Sequence, residues 1–191
     1  MKTLVVTGGI GSGKSEVCAY LEKKGIPVYN SDQRAKALYD ENPAIVSDIE
    51  EALGVVLTDP EGRLDRRKLA SIVFSDPEKL KILEDIVHPL IFEDFLRWRN
   101  DHFDVAPFLV MESAILMEKP LFHSLADKIL LIDAPLEVRA MLRDDSSRDA
   151  VVIRMKSQRF DKSKVDAVIE NDKDLKTLYR KTEETLQTIW N

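Results

Sequence analysis

The stretch TGGIGSGKSE, residues 7–16, sets the strongest limit on what this chain folds into. It places four glycines, two serines and a lysine directly after the apolar run TLVVT (3–7) and directly before a helical pattern at 14–24. In the spacing Gly8-x-x-x-x-Gly13-Lys14-Ser15, glycines let successive backbone N–H groups turn inward around a phosphate. The helix that follows presents its positive end to the same anion. Gly8, Gly9, Gly11, Ser12, Gly13, Lys14, Ser15 and Glu16 are therefore the expected nucleotide-phosphate residues. Lys14 brings a point charge to the outer phosphates, and the Ser15 hydroxyl is an expected Mg²⁺ ligand. The competing reading is a flexible Gly/Ser turn, but the loop also follows a strand and opens a helix, as phosphate binding requires.

A strand feeding such a loop belongs to an α/β fold, and the remaining pattern agrees. IPVYN (26–30) reads as a second strand. From 32 to 104 no further strand is convincing. Apolar residues recur there at helical spacing: Ile45, Ile49, Leu53, then Leu69 and Val73, then Leu80, Leu83 and Val87. DPEG (59–62) reads as a turn, and Ser75-Asp76-Pro77-Glu78 has capping-box spacing. FLVME (108–112) and KILLI (128–132) are short apolar runs of the kind parallel sheets bury on both faces. Helices are predicted from Leu136 and Asp149, a last strand at DAVIE (166–170), and a closing helix from Leu175 to Trp190. The expectation is a doubly wound, five-stranded parallel sheet of phosphate-loop type. Its core is 1–31 and 105–191, with a helical insert at 32–104 and a lid at about 139–160.

Composition closes off other classes. The 191 residues carry a net charge of −6, which argues against a general nucleic-acid footprint, so any anionic ligand must be met by a local positive cluster. The one cysteine, Cys18, makes no internal disulfide or cysteine metal cluster and reads as a small buried apolar side chain. No apolar run approaches a membrane span, and the short N-terminal run does not read as a signal peptide. The expected location is the cytoplasm, with no obligate protein partner inferred.

A triphosphate-binding loop leaves three classes open: a small-molecule kinase, a GTPase-type switch and an ATPase module that drives a partner. The late strand is followed by Asn171-Asp172-Lys173-Asp174, which fails the N-K-x-D spacing of guanine recognition. The middle strand ends in Glu112-Ser113 rather than an acidic pair that activates water. An insert covering a second substrate suits a kinase, because water reaching the γ-phosphate wastes it. Asp32, after the second strand, either receives the acceptor's proton or belongs to the cap of the next helix. Arg139, Arg143, Arg148 and Arg154 either neutralise transferring phosphoryl oxygens from a mobile lid or line a solvated face. His88-Pro89 either joins two helices or supplies a phosphate-binding histidine. Asn171 is a candidate contact to the base.

Together these pieces resemble the dephospho-coenzyme A kinase family, within the phosphate-loop kinase group. The resemblance runs through TGGIGSGKS and Asp32, through GRLDRRKLASIVFSDPEKLKILEDIVHPLI (62–91), and through RAMLRDDSSR (139–148) with Gln158 and VIEN (168–171). It implies transfer of the ATP γ-phosphoryl group, with Mg²⁺, to the ribose 3′-hydroxyl of dephospho-coenzyme A, the last step of coenzyme A synthesis. By position it implies Asp32 as base, Lys14 and Ser15 as phosphate and metal residues, and Arg143 as a lid arginine acting in catalysis and on the substrate. It also implies Arg139 and Arg148 on ATP and His88 on the substrate side. Several positions depart from the family pattern: Asn30 and Glu112 stand where aspartate is usual, Glu16 where threonine is common, Lys36 where arginine is common and Ser113-Ala114 where Val-Pro is common, and the segment between Gln158 and Asp166 is short. The alternatives are a kinase for another nucleotide or nucleoside, or a non-catalytic ATP-binding switch.

Overall fold

The structure, a computed structural model, describes residues 1–114, 120–141 and 160–191. It divides into two compact units, Met1–Asn30 with Asp101–Asn191, and Ser31–Asn100. The first unit is built on five parallel strands: β1 (Lys2–Gly8), β2 (Val28–Asn30), β3 (Phe108–Glu112), β4 (Lys128–Asp133) and β5 (Ala167–Glu170), in the order β2-β3-β1-β4-β5. The doubly wound parallel sheet read from the sequence is the observed fold.

Because the strands are parallel, their carboxyl ends form one edge: Gly8, Asn30, Glu112, Asp133 and Glu170. The chain leaves β1 toward β2 on one side and later passes from β3 across β1 to β4 and β5 on the other. Ligands of open α/β sheets bind at such a reversal, beyond the strand ends.

Helix α1 (Lys14–Lys23) follows β1 at once, and α8 (Leu175–Thr188) closes the chain. Leu4 and Val6 of β1, Phe108 and Val110 of β3, and Leu130 and Ile132 of β4 form one cluster with Val17, Cys18 and Leu21 of α1 and Leu178 of α8. The alternate residues Val5, Leu109, Met111 and Leu131 are buried as well. Burial on both faces explains why these strands read as unbroken apolar runs. Cys18 is part of this core, and burial pushes its thiol well above the ordinary value. Helix α1 ends as a Schellman motif: Gly25, at φ +81°, donates to Glu22 O at 2.9 Å, and Ile26 donates to Leu21 O at 3.1 Å. Two short helices, α6 (Pro120–His123) and α7 (Leu136–Met141), flank β4 in sequence.

The second unit holds α2 (Ser31–Glu41), α3 (Pro43–Leu53), α4 (Arg66–Ser75) and α5 (Pro77–Asp101), with one isolated bridge, Thr58 to Leu64. Asn42 caps α3 by accepting from Ala44 N, and Gly54 ends it in the left-handed region. Glu50 accepts from the backbone of Leu57 and Thr58 and from the Thr58 hydroxyl, which holds its carboxyl below the usual range and pins the turn after α3. Arg34 grips Asp94 through Nε and Nη2, both at 2.9 Å, tying α2 to α5.

Two local readings are corrected by these helices. Ser75 is the last residue of α4, and its hydroxyl donates to Ile72 O. The cap of α5 is Asp76, whose carboxylate accepts from Glu78 N at 3.0 Å and Lys79 N at 3.4 Å. Asp76→Ala is expected to cost about 1 kcal/mol in urea unfolding, and Ser75→Ala less than about 0.5 kcal/mol. The reverse order would restore the capping box. His88-Pro89 is not a joint, because α5 runs unbroken from Pro77 to Asp101 with Pro89 inside it. Val87, Ile91 and Phe95 lie at four-residue spacing, all buried, so one apolar stripe spans the proline. Its burial outweighs the backbone hydrogen bond that proline removes.

Candidate active site

The loop between β1 and α1 is shaped by close approach of backbone and side chains. A Cβ on Gly8 (φ +149°) would stand 2.2 Å from Ile132 O of β4, which excludes any other residue there. A Cβ on Gly13 (φ +100°) would stand 2.5 Å from Asn171 Nδ2. Asn171 is buried at the end of β5, and this Nδ2 donates to Ser12 O at 2.9 Å. The amide therefore holds the loop from the β5 side. Its neighbours Glu170 and Asp172, with Asp133, Ala134 and Pro135, line a cleft of about 280 Å³ at the ends of β4 and β5.

Lys14 folds back over the loop, its Nζ donating to Gly8 O at 2.8 Å and Gly9 O at 3.0 Å. The Ser12 hydroxyl is buried and has no hydrogen-bond partner among the described residues. Such an orphan donor in a glycine-rich loop suits a phosphate oxygen. Glu16, exposed on α1, lies at 3.3 Å from the Tyr179 hydroxyl.

Arg139, on α7, is 8% exposed although it is charged. Its Nε donates to Ile10 O at 2.8 Å, and a Cβ on Gly9 would stand 2.3 Å from its Nη2. The guanidinium thus lies against the loop. Burial pushes its pKa below the ordinary value, and the charge of Asp133 acts in the opposite direction.

Sequence reasoning passed over the carboxylate at the end of β3 as a site residue. The Ser15 hydroxyl donates to Glu112 Oε1 at 2.7 Å, and Asn30 Nδ2 donates to Glu112 Oε2 at 2.6 Å. Glu112 is 8% exposed. A serine hydroxyl backed by a carboxylate is a hard oxygen donor set. It fits Mg²⁺, which takes one or two protein oxygens and fills its other positions with phosphate oxygens and water. The signals in the sequence were its position at the end of a strand, on the same sheet edge as the loop, and its place where the resembled family usually has aspartate.

Asp32 is exposed in the first turn of α2, directly after Ser31, whose hydroxyl is buried without a partner among the described residues. His88 is half-buried on α5. Both belong to the second unit, and the loop residues belong to the first. Arg143, Arg148, Arg154, Gln158, the polar stretch 144–147 and the helix predicted from Asp149 lie outside the described residues.

A parallel sheet that carries this glycine-rich loop, its lysine and a serine–carboxylate pair defines a phosphate-loop nucleotide-binding protein. The family model described as dephospho-CoA kinase matches residues 3–177, so the chain belongs to the dephospho-CoA kinase family. A dephospho-CoA kinase of Porphyromonas gingivalis is 40% identical over 166 residues, covering 85% of this chain and 80% of that protein. The crystal structure of a Thermus thermophilus protein superposes with a TM-score of 0.80 at 33% identity, covering 97% and 96% of the two chains. The structure of a dephospho-CoA kinase from Campylobacter jejuni does so with a TM-score of 0.64 at 28% identity, covering 98% and 97%. The chain is thus an ATP-dependent kinase of coenzyme A biosynthesis, acting at its final step.

Proposed function

We propose that ATP binds with its phosphates on residues 8–16 and that the γ-phosphoryl group passes to the 3′-hydroxyl of dephospho-coenzyme A, in the cytoplasm. The observation that carries this reading is the convergence of Lys14, Ser15, Glu112 and Arg139 at the loop. The Ser15 hydroxyl, backed by Glu112, would hold Mg²⁺. When bound, the ion neutralises charge on the β- and γ-phosphate oxygens.

The remaining work falls to side chains. Lys14 meets the charge on the transferring group. Asp32 orients the acceptor hydroxyl and accepts its proton as the new O–P bond forms and the bond to the β,γ-bridging oxygen breaks. ADP leaves carrying that oxygen. His88 takes a place on the substrate side. Arg143 stabilises the transferring group, and Arg139 and Arg148 act on ATP. The cleft lined by Asp133, Glu170 and Asp172 takes the base, and Asn171 supports the loop beside it. Phosphoryl transfer leaves little covalent work for a protein, so positioning and electrostatics supply most of the rate.

The test is ADP release from ATP and Mg²⁺, with and without dephospho-coenzyme A, and with adenosine and AMP as competing acceptors. Release that depends on dephospho-coenzyme A, with a product carrying a new 3′-phosphate, is the expected result. Turnover with AMP or adenosine alone would move the acceptor. ATP binding without any acceptor-dependent turnover would overturn the roles of Asp32, His88 and Arg143.

A further inference from the structure

Glu112 has two oxygens and two donors, and the donors come from different elements. Ser15 stands in the first turn of α1 and Asn30 ends β2. Parallel pairing sets Asn30 directly across from Glu112 in the β2–β3 register, so the two side chains share a face of the sheet. A glutamate has three side-chain torsions, and a single contact to a serine leaves much of that freedom in place. The 2.6 Å bond from Asn30 Nδ2 takes Oε2 and leaves Oε1 turned to the Ser15 hydroxyl at 2.7 Å. The donated proton fixes the hydroxyl's direction, which leaves its oxygen lone pairs for a ligand.

We infer that Asn30 is a positioning residue for the metal–nucleotide complex, acting through Glu112 on Ser15. The amide suits this role because it is a neutral donor. It orients the carboxylate without placing a second negative charge beside it, so the carboxylate keeps both oxygens hydrogen-bonded. Partners of this kind, one step behind a metal-facing group, are worth 10- to 100-fold in metal affinity. The inference rests on the reading of Ser15 as the metal-side residue.

The test is calorimetric binding of a β,γ-imido ATP analogue across a Mg²⁺ series, with no acceptor present. Asn30→Leu keeps the heavy-atom count and branching of the side chain and removes the donor, and Asn30→Ala removes both. Each is expected to raise the Mg²⁺ concentration for half-maximal binding by about 10- to 100-fold. Metal-free analogue binding should stay near wild type, which a merely structural defect at the end of β2 would not respect. On a Glu112→Ala background the Asn30 substitutions should add little, because residues that act as one unit are not additive. An unchanged Mg²⁺ requirement in both Asn30 variants, or effects that multiply on the Glu112→Ala background, would overturn the inference. If wild-type binding does not depend on Mg²⁺, the metal reading of Ser15 falls as well. An intact wild-type dependence with normal Asn30 variants removes this inference alone.

Discussion

Asp32→Asn is expected to lower kcat by at least ~10²-fold with ATP binding retained. The substitution separates the two roles open to this residue. Asparagine serves a helix start about as well as aspartate does, so a capping role survives the change. What the first turn of α2 loses is a negative charge near a helix N-terminus, about 0.3–1 kcal/mol of stability. A 10²-fold loss of rate corresponds to about 2.7 kcal/mol in the transition state, well beyond that. A general base loses its function outright, because an amide nitrogen accepts no proton from the attacking hydroxyl. A base acts on the acceptor hydroxyl rather than on the nucleotide, so analogue affinity is expected to stay at the wild-type value. Steady-state kcat alongside calorimetric binding decides the matter. A near-normal kcat removes the base assignment, and a loss of ATP affinity would move Asp32 to the nucleotide.

Much of this was legible because the informative signals are local. TLVVT, FLVME and KILLI announce strands buried on both faces, and the spacing from Gly8 to Ser15 is contiguous. The errors came where a local rule met a longer-range one. Ser75 and Asp76 are both good capping residues, and the choice fell to Asp76 because Ser75 is still inside α4. Pro89 weakens a helix locally, yet the stripe Val87–Ile91–Phe95 carries α5 through it. The site itself depended on topology. Asn30 and Glu112 are 82 residues apart and meet because β3 pairs beside β2. Asn171 and Ser12 are 159 residues apart and meet because β5 ends at the same edge as β1. Spacing along the chain does not encode either contact; strand order does.

Lys14 carries the second large effect. Its ammonium is held over the loop by Gly8 O and Gly9 O. The entropy of ordering a long side chain is therefore spent in folding, and its charge meets the transferring group without reorganisation. Lys14→Ala is expected to lower kcat by about 10³-fold, the upper end of the loss from removing one pre-organised donor. Lys14→Arg should not rescue it, since a planar fork replaces a compact point charge that two carbonyls of a tight loop hold in place. Single-turnover rates and kcat/KM for ATP separate the ways this can fail. Equal falls in kcat and kcat/KM mark an interaction made in the transition state. A rise in KM at unchanged kcat would make Lys14 a ground-state anchor for the triphosphate, and the charge stabilisation would then have to come from the metal side or from the arginines.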